Sequence, residues 1–247
     1  RLLDAQPGIR AVLMQASETS TTALHPVKEI AAITRKRDVL LVVDGITAVG
    51  VIDMPMDEWG IDILVTGSQK ALMLPPGLAF LALSERAWER TKSSKTPRFY
   101  FDLKRERDNL AKNTTAWTPA VTLIIGLREC LAIMKEEGWA NVFARHERNA
   151  RATRAAAQAL DLALLAPEAP SPAVTGMHVP AGVDGGKLVA YLRDKMGVTF
   201  AGGQDHLKGK IVRVAHLGYM GTFDVVTAIS ALELGLTHFG REVGLGR

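Results

Sequence analysis

The stretch Ile61-Asp-Ile-Leu-Val-Thr-Gly-Ser-Gln-Lys70-Ala-Leu-Met-Leu-Pro-Pro-Gly77 reads as a strand, a tight turn and a lysine set down just past the strand's end. The short run Ile61–Thr66 is rich in β-branched and apolar residues, and Gly67-Ser68 supplies the turn chemistry that ends it. Upstream, Val39-Leu-Leu-Val-Val43 is a continuous apolar run, the pattern expected of a strand covered on both faces of a parallel sheet. Ala11–Gln15 reads as a further strand, and Pro26–Arg37 as the helix between the two, with Pro26 suited to a first helical position. Ala79–Leu83 is a fourth strand. Strands and helices taking turns predict an α/β fold with a mostly parallel sheet and flanking helices.

Further outward, Leu123–Lys135 and Asn141–Leu160 carry helical periodicity, the first through Leu127, Leu131 and Met134. Pro167, Pro170 and Pro172 then break regular structure. Strand patterns at Val174–Val179 and Lys210–Val214 follow, with helical patterns at Asp184–Met196 and Thr222–Phe239, so a smaller α+β unit is expected in the second half. We divide the chain at 1–140, the large domain, and 141–247, the small C-terminal domain.

The 247 residues are 47% hydrophobic and 23% charged, which suits a globular protein and excludes disordered, collagen-like and coiled-coil classes. Lys and Arg exceed Asp and Glu by only 30 to 26, and the basic runs at 92–107 and 145–154 lack interleaved aromatics, so nucleic acid is not an expected partner. The absence of an apolar run of about 20 residues argues against a membrane span. A single Cys suits a reducing, cytoplasmic compartment. The six His are scattered, and the phosphate-loop, nucleophile-elbow and His-Glu-x-x-His patterns are missing, so no metal site is expected.

Four elements can carry chemistry. Lys70 is the sole lysine between Lys36 and Lys92; burial at this position would favour the neutral amine that Schiff-base formation requires, although a lysine can also snorkel to the surface. Asp44 ends the Val39–Val43 run, where ligands of parallel sheets bind; as a turn residue it would need no other role. Ser17-Glu-Thr19-Ser-Thr-Thr22 is a hydroxyl-rich loop able to bond a phenolate or phosphate, or simply to form a Ser/Thr turn. Arg213, within the apolar Lys210-Ile-Val-Arg213-Val-Ala-His-Leu-Gly218, calls for an anionic partner such as a substrate carboxylate, or for an edge position facing water.

Amine, carboxylate, hydroxyls and guanidinium together match the needs of pyridoxal-phosphate chemistry. With Gln15-Ala-Ser-Glu-Thr-Ser-Thr, Val42-Val-Asp44-Gly-Ile, Gly67–Gly77, Thr118-Pro119 ahead of Gly126-Leu-Arg-Glu129, and Gly209–Gly218, the sequence resembles the class V aminotransferases of fold-type I pyridoxal-phosphate enzymes. The alanine-glyoxylate and serine-glyoxylate (serine-pyruvate) branch is the most similar. The resemblance covers nearly the whole chain. It implies that Lys70 carries the cofactor's Schiff base and shuttles a proton, and that Asp44 pairs with the pyridinium nitrogen. Thr19 would meet the cofactor's polar edge, Gln69 its phosphate, and Arg213 the substrate α-carboxylate. Thr118 would reach the phosphate of a neighbouring subunit's cofactor, which implies a homodimer with shared active sites. The implied reaction moves an amino group from a small amino acid (alanine or serine) to a small 2-oxo acid (glyoxylate or pyruvate).

Two positions depart from the pattern, Thr22 where the family often has Gly and Thr115 where it often has Tyr. The family's Gly-rich phosphate turn and stacking aromatic belong upstream of Ser17, so the motif order reads as a larger enzyme with an N-terminal, domain-sized piece absent. Other readings are a phosphonate transaminase, a desulfurase or lyase, and a non-catalytic subunit that keeps the fold. A desulfurase needs a mobile-loop cysteine, whereas Cys130 falls at an apolar helical position.

Overall fold

The computed structural model describes residues 1–246. The chain begins with α1 (Leu2–Ala5), β1 (Ala11–Gln15), a small hairpin of β2 (Ser17–Glu18) and β3 (Ala23–Leu24), and α2 (Val27–Arg35). Next come β4 (Leu40–Asp44), α3 (Met56–Trp59), β5 (Ile63–Gly67) and β6 (Ala79–Leu83). Four helices follow, α4 (Glu85–Ser93), α5 (Leu103–Leu110), α6 (Val121–Glu137) and α7 (Trp139–Ala159). The last part holds β7 (Val174–His178), α8 (Gly185–Met196), β8 (Ala201–Gly202), β9 (Ile211–Ala215) and α9 (Thr222–His238).

The first sheet has the order β1-β4-β5-β6, with β1, β4 and β5 parallel and β6 antiparallel to β5. The return of β6 follows from its connection: residues 68–78 contain no helix to carry the crossover that a parallel partner needs. In register, Gln15 pairs with Asp44 and Asp44 with Val65, so the carboxyl ends of the three parallel strands form one edge. On one face Leu41 and Val43 meet Val27, Ala31 and Ile61 in a closed core. Burial of the sheet on both faces is not what forms: Leu13 and Leu81 point from the other face and are 74% and 49% exposed.

The amino end of the sheet is locked by one buried carboxylate. Asp62 accepts from the Leu41 N–H at 2.8 Å, the Ser84 hydroxyl at 3.0 Å and both Nε and Nη2 of Arg86. Arg86 also donates to the Val39 carbonyl at 2.9 Å, and Ser84 caps α4 by accepting from the Ala87 N–H. Burial alone would raise the pKa of Asp62, but the bonds from Arg86, Leu41 and Ser84 outweigh it and hold the group below the usual carboxylate value.

The second sheet, β7-β9-β8, is antiparallel and packs with α7, α8 and α9 around Met177, Leu188, Leu192, Val212, Leu232 and Leu236. The β2–β3 hairpin ties the two parts together. Leu24 N–H donates to the Ala169 carbonyl, Ser171 N–H to the Thr22 carbonyl, and the Ser17 and Ser171 hydroxyls lie 2.7 Å apart.

Candidate active site

The carboxyl edge of the first sheet, the hairpin loop and β9 of the second sheet surround a cavity of about 720 Å³. Thr19, Gln69, Lys70, Arg213, Leu217 and Met220 are among its lining residues. Lys70 follows the turn after β5. It is half-buried rather than fully desolvated, and its Nζ makes no hydrogen bond or ion pair among the described residues. The Gln69 amide folds back over the strand end, its Oε1 2.8 Å from where a Cβ on Gly67 would stand.

Asp44 ends β4 on the same edge. It is exposed, its Oδ1 accepts from the Ile46 N–H at 2.9 Å, and no other hydrogen bond holds the carboxylate among the described residues. Asp44 is outside the lining of the cavity, as is Thr118, which is exposed ahead of α6. Of the sequence-derived residues, Thr19, Gln69, Lys70 and Arg213 therefore share one cavity, Asp44 shares their edge, and Thr118 stands apart.

Arg213 does not sit on an edge strand and, among the described residues, has no carboxylate in contact. Its strand β9 is the middle one, and the guanidinium donates from Nε to the Gly202 carbonyl at 2.9 Å and from Nη1 to the Thr19 carbonyl at 2.7 Å. Burial pulls its pKa down and the nearby Glu18 charge pulls it back; an arginine remains charged in either case. Nη2 is left without a partner among the described residues, next to the cavity. The hydroxyls of the loop divide. Thr19 lines the cavity, whereas Ser17 bonds Ser171, and Thr22, at φ 59°, is buried against Gly176.

Sequence reasoning missed the far wall, Leu217 and Met220, on the connection between β9 and α9. The glycine at 218 was the available signal. It has φ 78°, and a Cβ there would lie 3.3 Å from the Lys70 carbonyl oxygen. Two buried histidines back this wall. Burial holds His146 below its ordinary value and lowers His216 to about 4.

The family model for Aminotransferase class-V matches residues 3–220. The chain belongs to the class V aminotransferases. Relatives of this class V chain include the "Soluble hydrogenase, small subunit" of Synechococcus sp., 42% identical over 94% of this chain and 60% of that protein. L-aspartate–glyoxylate aminotransferase of Paracoccus denitrificans is 38% identical over 99% of this chain and 63% of its own length. The crystal structure of pyridoxamine-pyruvate aminotransferase from Mesorhizobium loti superimposes with a TM-score of 0.93 at 30% identity, covering 99% of this chain and 64% of that one. The class V chain thus spans 60 to 64% of the length of these relatives, and it has the fold of a type I pyridoxal-phosphate aminotransferase.

Proposed function

We propose that the protein to which this chain belongs is a pyridoxal-phosphate-dependent aminotransferase. It would transfer the amino group of a small amino acid, alanine or serine, to glyoxylate or pyruvate. The observation that carries the reading is the unpartnered Lys70 amine lining the same cavity as the unpartnered Arg213 Nη2. The donor set fits the cofactor: a lysine amine, a carboxylate with one unbonded oxygen at the strand edge, the Thr19 hydroxyl and the Gln69 amide. When bound, pyridoxal phosphate supplies a carbonyl that takes up the amino group and an electron sink for the substrate α-carbon.

This chain's side chains do the rest. Arg213 Nη2 binds the substrate α-carboxylate and orients the α-hydrogen. Lys70 Nζ would take the substrate's α-proton and hold it for return, the role of a general base. The Asp44 carboxylate keeps a proton on the ring nitrogen by its negative charge. One guanidinium facing the cavity suits a substrate with one carboxylate and a small side chain.

The hydrogenase activity in its name belongs to the Synechococcus relative alone; here the chain's one cysteine, Cys130, is half-buried on α6. We also read 1–140 as the cofactor-binding part and 141–247 as the smaller domain, supported by their separate apolar cores. A homodimer is supported by the apolar surface of α6, where Val121, Ile124 and Ile125 are 45 to 55% exposed; Thr118, just before it, would serve the partner's site. Borohydride reduction of the full-length protein with pyridoxal phosphate, followed by peptide mapping, is expected to label Lys70. Label on another lysine, or none, sinks the reading.

A further inference from the structure

The cavity wall opposite the hairpin is held from behind by one face of α7. His146 is fully buried, and its Nδ1 donates to the Val142 carbonyl at 2.8 Å. Its Nε2 faces the Gly218 N–H at 3.0 Å. An amide N–H can only donate, so Nε2 is the acceptor and the proton sits on Nδ1. Arg145 Nη1 donates to the Gly218 carbonyl at 2.7 Å and to the Met220 carbonyl at 3.1 Å. Asn149 Nδ2 donates to the same Met220 carbonyl at 2.9 Å. Arg145 is itself fixed by a bidentate pair with Glu137, at 2.6 and 2.9 Å. One N–H and two carbonyls of the short connection from Leu217 to Gly221 are thereby bound to three neighbouring side chains of a single helix.

That connection has the Lys70 turn on its other side. Gly218 backs onto the Lys70 carbonyl, and Leu217 and Met220 line the cavity together with Lys70. At its end Gly221 N–H donates to Asp224, which opens α9 and also lines the cavity. None of the four clamp side chains, Glu137, Arg145, His146 and Asn149, lines the cavity. What they fix is the position of the wall relative to Lys70.

Resting on the transaminase reading above, we propose that Glu137, Arg145, His146 and Asn149 are positioning residues for substrate binding. They hold the Leu217–Met220 wall where a small substrate is confined between it and Arg213. Loosening the clamp weakens substrate binding and leaves the proton transfer at Lys70 intact.

The test uses the full-length protein with its cofactor. Arg145→Lys and Asn149→Ala are expected to raise KM for pyruvate about tenfold while kcat stays within about threefold and the bound-cofactor absorbance is unchanged. Hydrogen exchange at Gly218 gives a readout independent of turnover. Exchange is expected to quicken at least tenfold in His146→Leu, and to be slow in His146→Gln, whose Oε1 restores an acceptor near Nε2. A fall in kcat with KM unchanged overturns the proposal, as does loss of cofactor binding in Arg145→Lys or Asn149→Ala. If the wild-type protein does not transaminate, the function proposed above fails on its own account. The clamp is then judged by exchange: equal rates in the wild type and both His146 variants overturn it, and the Leu/Gln contrast supports it.

Discussion

Asp44 and Asp62 stand at opposite ends of neighbouring strands in one sheet, and their surroundings could hardly differ more. Asp62, at the amino end of β5, is buried and takes four hydrogen bonds from a backbone amide, a hydroxyl and a guanidinium. Asp44, at the carboxyl end of β4, is exposed and takes one. The same contrast holds for the cations: Arg86 is spent on Asp62 and Val39, while Lys70 has no partner among the described residues. A fold can leave polar groups unpaired at one end because the other end is fully satisfied. The unpaired end is where a ligand has something to bond.

The contrast can be broken experimentally. Asp62→Ala removes the partner of a half-buried Arg86 and leaves the Leu41 N–H unpaired, and is expected to destabilise by about 3 kcal/mol in urea unfolding. A loss below about 1 kcal/mol would mean that the amino end is not the structural anchor. Acid should reveal a second effect of nearly the same size. His216 is buried neutral, with a folded-state value of about 4. The unfolded chain binds its proton near pH 6.5. Stability is therefore full above about pH 6.5 and falls as the pH drops towards 4, by about 3 kcal/mol in all. A flat unfolding free energy across that window would contradict it. For Asp62 the folded value is lowered, so its contribution is present above its unfolded value and is lost as the pH falls through the folded one. Asp62→Asn should remove that lower acid limb.

The smallest stability effects belong to the open end. Asp44→Ala and Lys70→Ala are each expected to change unfolding stability by less than about 1 kcal/mol, since neither side chain has more than one bond to lose. Both should abolish saturable binding of pyridoxal phosphate, measured by absorbance titration. A variant that unfolds would place its residue with Asp62 instead.

Where the sequence was legible, periodicity and strand ends carried the information. The apolar run before Asp44 and the strand–turn before Lys70 form strands as expected, because short apolar runs bounded by turn residues have few alternatives. Helices α4 and α5 escaped notice because they bury almost nothing: Ala87 is the one buried residue of α4, and α5 has none. Their signals were the caps, Ser84 and Asp102. The bare sheet face at Leu13 depends on what packs where, which no local pattern encodes; the direction of β6 follows from a connection without a crossover helix. Arg213 was expected to meet an anionic partner or to face water from an edge; that two neutral carbonyls from different parts of the chain hold it needed the fold.

Those two carbonyls give Arg213 a further property. Gly202 belongs to the second sheet and Thr19 to the hairpin beside the first. The guanidinium keeps its place in the cavity lining only while both acceptors are in reach. It thus acts as an alignment gauge between the two halves, and a rotation of one against the other would break one of its two bonds.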